Sequence, residues 1–273
     1  MEYIRKTQLL HHLSPEKDQI IVMIHGLGTC WQMMLKGASV LAKDYHVVLV
    51  SVPGFDLESD EDFTSVEDIA KRIEDALLAE GCSRCECLYG LSMGGGIAVR
   101  MLADNRVYFR KACIDAGIAP YEYPRIITRM ILLMDVFGTK LAKHSRKLLE
   151  SVMKPEDYGQ DTIDDMYRVL NHMSDRTYWR AYDSTDNYSM PDVFPEIDTR
   201  IEYWYGEKEK KDRKPDIEYV RKHIPGVVFR EFPGMNHGQF GTQTEAFVKE
   251  FREMLQGQGK TDPCLRRSSV RTV

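Results

Sequence analysis

The sequence predicts an α/β protein with a mostly parallel central sheet and helices on both faces. Short apolar runs alternate along the chain with longer segments that have helical spacing. The first of them, "QIIVMIHG" at 19–26, is a continuous apolar run that ends in glycine, as is typical of a parallel strand that is buried on both sides. The chain has 273 residues, of which 43% are hydrophobic and 29% charged, so its composition suits one large globular domain or two small ones.

The first 117 residues are predicted to contain four buried strands that alternate with helices. The first strand ends in Gly26, and the second is stopped by Pro53 and Gly54. A capping signal at Thr64 and Ser65, before acidic residues, opens one of the helices. The predicted strands cover 19–26, 46–54, 85–92 and 110–117, and the predicted helices cover 31–45, 64–81 and 95–104.

The alternation stops after the fourth strand. Residues 118–198 show no convincing strand pattern and are helical over 124–153 and 161–184. Strands are predicted again at 200–207 and 227–234, and helices at 214–226 and 242–255. We therefore expect a core formed by 1–117 and 199–256, a helical cap or lid formed by 118–198, and a flexible tail at 257–273.

Charge and composition limit the class of partner. The net charge of −5 gives no reason to expect nucleic acid. The first residues lack a signal-peptide pattern, and no apolar run is long enough to span a membrane, so we expect a cytoplasmic protein that acts on a small molecule without a membrane partner. The sequence leaves open whether the chain is a monomer or a homodimer.

A metal site is considered and set aside. The chain has six cysteines, and three of them lie in "CSRCEC" at 82–87. A zinc site needs about four ligands, and no second Cys or His pair follows at suitable spacing. We expect reduced thiols at the start of a strand, and neither a metal nor an organic cofactor.

The segment "GLSMGGG" at 90–96 follows the third predicted strand and opens a helix. Its pattern G-x-S-x-G is typical of a sharp, strained turn that presents a serine hydroxyl at the carboxyl edge of a sheet. The N-terminal amides of the next helix would favour a negative charge at the same place. A glycine turn without chemistry is the competing interpretation.

Two further segments favour the chemical interpretation. "HGLG" at 25–28 ends the first strand, so the amide of Leu27 could meet an oxyanion together with the amide of Met93. "GMNHGQF" at 234–240 follows the last strand and places His237 at the same edge. A serine needs a base, and a histidine suits that role.

The sequence resembles the α/β-hydrolase family from about residue 19 to 255. The resemblance rests on the order of five features along the chain: HGLG, GLSMGG, a helical insertion, YGEKE and NHG. The sequence is similar to small cap-bearing serine hydrolases of the carboxylesterase and carbon–carbon hydrolase type. The resemblance implies that Ser92 is the nucleophile, that His237 is the general base, and that the amides of Leu27 and Met93 form the oxyanion hole. Serine at the turn argues against the relatives that use aspartate there.

The resemblance also implies an acidic partner for His237. The family usually has an aspartate three residues after a glycine that ends a late strand, and the corresponding position after Gly206 holds Glu209. Glu209 is our first choice, since glutamate can also accept a hydrogen bond from the histidine and hold its tautomer. Asp212 and Asp115 are the alternatives, and Glu207 fits the spacing less well.

The sequence therefore predicts a hydrolase that cleaves an ester or related acyl bond through an acyl-enzyme. Carbon–carbon hydrolysis, lyase chemistry, acyl transfer on the same fold and a non-catalytic small-molecule receptor remain alternatives. Several apolar side chains of the cap either line an apolar substrate cavity or pack within the cap: Met130, Met134, Phe137, Tyr178 and Trp179.

Overall fold

A computed structural model describes residues 5–6 and 9–257 and confirms the α/β architecture. One sheet of eight strands has the order β1-β2-β4-β3-β5-β6-β7-β8. From β4 onward all neighbours are parallel, whereas β1 and β2 pair antiparallel with each other and β2 pairs antiparallel with β4. The strands are β1 Arg5–Lys6, β2 Leu10–Leu13, β3 Ile20–Ile24, β4 His46–Val50, β5 Arg84–Leu91, β6 Tyr108–Asp115, β7 Arg200–Gly206 and β8 Val228–Phe232.

The antiparallel edge was not predicted from the sequence. The sequence of β2 is Leu-His-His-Leu, and because two of its four residues are polar histidines it does not show the apolar pattern of a buried strand. Both histidines are buried because they have partners: His11 stacks on Trp31, and His12 contacts His46 and Glu80. Tertiary contacts therefore decide the position of this strand.

Helices cover both faces of the sheet. Helices α1 and α11 pack with the core cluster on one face, and α2, α3 and α9 pack on the other. No helix within the described ranges is long and apolar enough to cross a bilayer. The bounds are α1 Leu35–Leu41 after a 3₁₀ turn at Trp31–Met34, α2 Val66–Ala79, α3 Met93–Asp104, α9 Lys214–His223, α10 Gln239–Thr242 and α11 Thr244–Gln256.

Five helices lie between β6 and β7, although these two strands pair directly. We refer to residues 118–198 as the cap. The sequence indicated helices at 124–153 and 161–184. The first is broken at Ser145, which caps α5, and the second at Ser174, which caps α8. The predicted tail lies outside the described residues, Gly257 excepted. The cap helices are α4 Arg125–His144, α5 Arg146–Val152, α6 Pro155–Tyr158, α7 Gln160–His172 and α8 Asp175–Asn187.

Helix α8 connects the cap to the core through hydrogen bonds with the segment that precedes α2. The amide of Phe63 donates to Thr177 Oγ1 at 3.1 Å, and the amide of Val66 donates to Ser184 Oγ at 2.8 Å. These bonds satisfy backbone donors that lie at the start of α2 and would otherwise lack partners. The cap is thus held on the face of the sheet that carries α2 and α3.

The same helix carries a carboxylate that is buried at a high energetic cost. Asp186 is 4% exposed, and its Oδ2 has no hydrogen-bond partner among the described residues. Burial, followed by the neighbouring carboxylates Asp135 and Asp216, raises the pKa of Asp186 to about 7, although Arg213 opposes the shift. The native state therefore binds a proton that the unfolded chain releases at lower pH.

We expect Asp186→Asn to stabilise the protein at alkaline pH. Because the native pKa is raised, the stability associated with Asp186 is complete below the unfolded pKa and is lost as the pH rises through about 7. The variant should gain on the order of 1–3 kcal/mol in the free energy of unfolding at pH 8 and less at pH 5. Urea unfolding at both pH values measures this gain, and the exposed Asp192→Asn is the matched control. An equal gain at both pH values would contradict the argument.

Candidate active site

Ser92 occupies the turn between β5 and α3, in the strained conformation that the sequence pattern predicts. Its φ and ψ are 53° and −116°, which a serine adopts only when its surroundings enforce them. The Ser92 amide donates to the carbonyl of Asp115 at 2.8 Å, and the Ser92 carbonyl accepts from the amide of Gly96 at 3.1 Å. These bonds hold the turn in place, and the hydroxyl faces a cavity above the sheet.

Glycine is required on both sides of Ser92 because the backbone closes on itself there. A Cβ added at Gly90 would lie 2.2 Å from the carbonyl oxygen of Gly94. A Cβ added at Gly94 would lie 2.5 Å from the carbonyl oxygens of both Ile24 and His25. The turn therefore presses α3 against the end of β3, which brings the segments "HGLG" and "GLSMGG" together.

We expect Gly94→Ala to destabilise the fold strongly. The new methyl group would meet backbone atoms that cannot move without displacing β3, so the free energy of unfolding should fall by about 3 kcal/mol or more. Gly138→Ala is the matched control, because a Cβ there meets nothing within 4 Å and alanine suits a helix interior. Thermal unfolding of both variants tests the prediction. A similar midpoint for the two would contradict it.

His237 lies on the loop after β8, and its Nε2 is 3.0 Å from Ser92 Oγ. The loop is fixed by its own side chains: the amide of His237 donates to Asn236 Oδ1 at 2.9 Å, and the amide of Asn236 donates to Gln239 Oε1 at 2.8 Å. The imidazole is thus held where Nε2 can accept the hydroxyl proton of Ser92.

The cap also holds this loop, a contact that no sequence pattern indicated. Tyr158 in α6 donates its hydroxyl proton to the carbonyl of His237 at 2.9 Å. Gln239 Nε2 donates to Asp157 Oδ1, in the same helix, at 3.2 Å. The position of the imidazole consequently depends on the cap as well as on the sheet.

Glu209 lies in the turn after β7 and contacts the other side of the imidazole. Its Oε2 accepts from His237 Nδ1 at 2.6 Å, and its Oε1 accepts from the amide of Gly206 at 2.9 Å. The residue is only 3% exposed. Both carboxylate oxygens are therefore bonded, and the first of these bonds holds His237 in the tautomer with its proton on Nδ1.

The structure places the other candidate acids elsewhere. Asp212 is exposed on the turn after Glu209. Asp115 is buried and accepts a hydrogen bond from the Tyr89 hydroxyl at 2.7 Å, and burial raises its pKa to about 7. Glu207 is exposed and accepts from the amide of Gly234. Of the four acidic side chains, Glu209 is the one that the structure brings to His237.

The backbone amides predicted for an oxyanion hole lie beside Ser92. Met93 is the first residue of α3, where a helix amide has no acceptor one turn earlier. Leu27 follows Gly26, and a Cβ added at Gly26 would lie 3.3 Å from Ser92 Cβ. Leu27 lines the cavity in front of the serine. An oxyanion-hole function for these amides remains a prediction.

His25 supports this loop, and the sequence analysis assigned it no function. Its Nδ1 donates to the carbonyl of Gly26 at 2.9 Å, and its Nε2 accepts from the amide of Val52 at 3.2 Å. Burial lowers the pKa of His25 to about 4, so the ring is neutral at pH 7 and can both donate and accept. The signal in the sequence that could have identified it is a histidine at the end of an apolar run and directly before a glycine.

Comparison with known proteins identifies the family of this fold. The model of the α/β hydrolase family matches residues 21–250.

The chain belongs to the α/β-hydrolase family.

Among its relatives is the pimeloyl-[acyl-carrier protein] methyl ester esterase of Neisseria meningitidis serogroup C / serotype 2a, which is 22% identical over 253 residues, 89% of this chain and 96% of the relative. An α/β hydrolase family protein from Desulfitobacterium hafniense has a TM-score of 0.72 at 18% identity, covering 90% of this chain and 99% of its own. An esterase from Exiguobacterium antarcticum has the same TM-score and identity, with coverage of 90% and 94%. At these identities the structural likeness shows the fold.

In this α/β hydrolase, a cavity of about 470 Å³ opens in front of Ser92 and His237. Methionines line much of it, from the loop after β3 as well as from the cap: Met33, Met34, Met153 and Met166. Polar groups enter at one side, among them Gln32, Lys36 and Asp161. The pocket therefore suits a partly apolar ligand with some polar atoms.

The cap residues proposed as the apolar lining are not among those that form this wall. Met130, Met134 and Phe137 lie on the exposed side of α4, and Trp179 is exposed on α8. Tyr178 is fully buried and donates its hydroxyl proton to the carbonyl of Leu170. Lining of the cavity is therefore wrong for all five residues, whereas the alternative of packing within the cap holds for Tyr178. Helical spacing identifies an apolar face but does not show which way the face turns.

Proposed function

We propose that this α/β hydrolase is a serine esterase that acts on a small to medium, partly apolar ester through an acyl-enzyme. The observation that carries the proposal is the continuous chain of hydrogen bonds from Ser92 through His237 to Glu209, beside a cavity. A nucleophile, a base and a group that orients the base are the parts that serine hydrolysis needs. That a relative is named an ester hydrolase supports the choice of substrate class.

In the first step, Ser92 Oγ attacks the ester carbonyl while its proton passes to His237 Nε2. The carbonyl oxygen takes the negative charge, and the amides of Leu27 and Met93 would stabilise it. Glu209 stabilises the imidazolium that forms. The C–O bond to the alcohol then breaks, and the alcohol leaves with the proton from His237.

In the second step, water hydrolyses the ester bond to Ser92. His237, neutral again, takes a proton from the water, and the hydroxide attacks the acyl carbonyl. The collapse of the second tetrahedral intermediate releases the acid and returns the proton to Ser92 Oγ. The residues end as they began, so the cycle requires no further reactant.

One polar atom of the cavity points to a feature of the substrate. Gln32 lines the cavity, and its Oε1 is buried without a hydrogen-bond partner among the described residues. A buried acceptor without a partner costs free energy unless a ligand supplies a donor. We propose that the substrate carries a hydroxyl or N–H group that donates to Gln32.

For the Gln32→Leu variant we expect a loss of preference between substrates. Wild type should favour p-nitrophenyl 3-hydroxybutyrate over p-nitrophenyl butyrate in kcat/KM, because only the first can donate to Gln32. In the variant, the ratio of the two kcat/KM values should be about tenfold lower than in wild type, which corresponds to the loss of one hydrogen bond of about 1 kcal/mol or slightly more. An unchanged ratio would contradict this function of Gln32.

The proposal is tested by the mass of the intact protein after exposure to a small fluorophosphonate. We expect wild type to gain a single adduct and Ser92→Ala to gain none, since an unactivated serine hydroxyl is a poor nucleophile towards the fluorophosphonate. Ser83→Ala should still be labelled, because Ser83 is an exposed serine directly before β5, at the end of the strand that lies away from Ser92. A folded wild type without an adduct would favour the receptor alternative over the esterase.

The same adduct would not separate ester hydrolysis from carbon–carbon cleavage or acyl transfer. A panel of p-nitrophenyl esters of increasing acyl length measures ester hydrolysis directly, and added alcohol as a competing acceptor separates it from acyl transfer. Rapid release of p-nitrophenol followed by slow turnover indicates an acyl-enzyme. Formation of a new ester with the added alcohol, at the expense of free acid, would favour acyl transfer.

A further inference from the structure

The outer side of α4 carries a continuous apolar stripe that nothing in the described structure covers. At about 100° per residue, the stripe occupies an arc of about 120° along the whole helix. Its members are between 42% and 72% exposed. They adjoin one another, whereas the exposed apolar side chains of most soluble proteins are scattered singly. We call the following residues the outer stripe: Ile126, Ile127, Met130, Leu133, Met134, Phe137 and Leu141.

The outer stripe is not a displaced part of the core. The opposite side of α4 is buried through Thr128, Leu132 and Val136, and the helix packs on α5, α7 and α8. The only acidic residue of α4, Asp135, lies about 140° from the middle of the stripe and is half-buried. The cap is thus complete without the stripe.

Basic side chains accompany the stripe. Residues 125–152 contain six lysines and arginines and two acidic residues, a net charge of +4 in a chain whose net charge is −5. Arg129 and Lys140 border the stripe on one side. Neither Arg125 nor Arg129 forms an ion pair with a described residue, whereas Lys140 pairs with Asp175 at 2.9 Å. An apolar stripe with a basic border is typical of a helix that lies on an anionic lipid surface.

We propose that the outer stripe of α4 and its basic border bind the surface of an anionic lipid bilayer. The apolar side chains would enter the boundary between headgroups and acyl chains, and Arg129 would contact lipid phosphates. The expectation of no membrane partner rested on the lack of a spanning segment. A helix that lies in the plane of the interface does not need one.

A second copy of the chain is the less favourable occupant. An antiparallel pair of α4 helices, related by a twofold axis across them, would set Arg129 against Lys140 of the other copy. This arrangement places like charges together in an interface that excludes water. A lipid surface instead supplies the opposite charge.

Vesicle binding tests the proposal without any use of catalysis. Wild type is mixed with vesicles of phosphatidylcholine alone or with an equal amount of phosphatidylglycerol, and bound protein is measured by flotation. We expect binding to the mixed vesicles to be at least about tenfold tighter and to weaken as salt is raised. Phe137→Glu and Arg129→Glu should each weaken it by about tenfold or more.

Val193→Glu is the matched control, since Val193 is 80% exposed in the cap but lies outside α4. It should bind as wild type does, and circular dichroism should show that all variants are folded. Ser92→Ala should also bind normally, so a failed esterase assay does not bear on this result. Absent binding, or equal loss in Val193→Glu, would overturn the proposal. A solution dimer that Phe137→Glu dissociates would assign the stripe to a second copy instead.

Discussion

Replacing Ser92 or His237 by alanine is expected to reduce kcat for ester hydrolysis by about 10⁴-fold or more, and replacing both should cost little beyond either single change. The two side chains are 3.0 Å apart and form one proton-transfer unit, so the loss of either member removes most of the function of the other. Steady-state rates with a p-nitrophenyl ester measure all three variants. Residual rates reflect binding and the backbone amides.

Thermal unfolding is the control that shows whether these variants keep the native fold. Ser92 keeps its backbone bonds to Asp115 and Gly96 when the hydroxyl is removed, so thermal unfolding of Ser92→Ala should stay close to wild type. If the losses of the two single variants instead multiplied in the double variant, the two side chains would act independently. That result would contradict the proposed mechanism.

Replacing Glu209 by glutamine is expected to lower kcat by about 10³–10⁴-fold. The carboxylate accepts the Nδ1 proton of His237 at 2.6 Å, so it fixes the tautomer and stabilises the imidazolium. A glutamine amide can turn its NH₂ group to the ring and thereby favour the wrong tautomer. The size of the substrate pocket should not change, so KM should stay within about threefold of wild type.

Asp212→Asn and Asp115→Asn are matched controls, since each removes the carboxylate of one alternative acid that the sequence offered. Asp212 is exposed, and Asp115 is bonded to Tyr89, so neither contacts His237. We expect both variants to retain kcat within about tenfold. A larger loss in either variant than in Glu209→Gln would move the function of the acid away from Glu209.

Much of the fold could be predicted from local patterns. The strands β3 to β8 are short, mostly apolar segments with clear stops, and the helices around them have helical spacing. The N-terminal strand β2 could not be predicted, because its histidines are buried only through partners that lie far away in the sequence. The breaks in the cap at Ser145 and Ser174 were missed because the apolar spacing continues across them.

The sequence by itself determined the parts of the candidate site that depend on local geometry. Glycines around Ser92 impose a turn, and parallel strands bring their carboxyl ends to one edge, so the proximity of Ser92, His237 and the HGLG segment followed from chain order. The tertiary structure decided what depends on direction and distance. It placed Glu209 rather than Asp212 against His237, brought Tyr158 to the histidine loop, and turned the apolar face of α4 outward. The spacing of residues fixes which side chains share a face, but the packing of whole elements decides what that face meets.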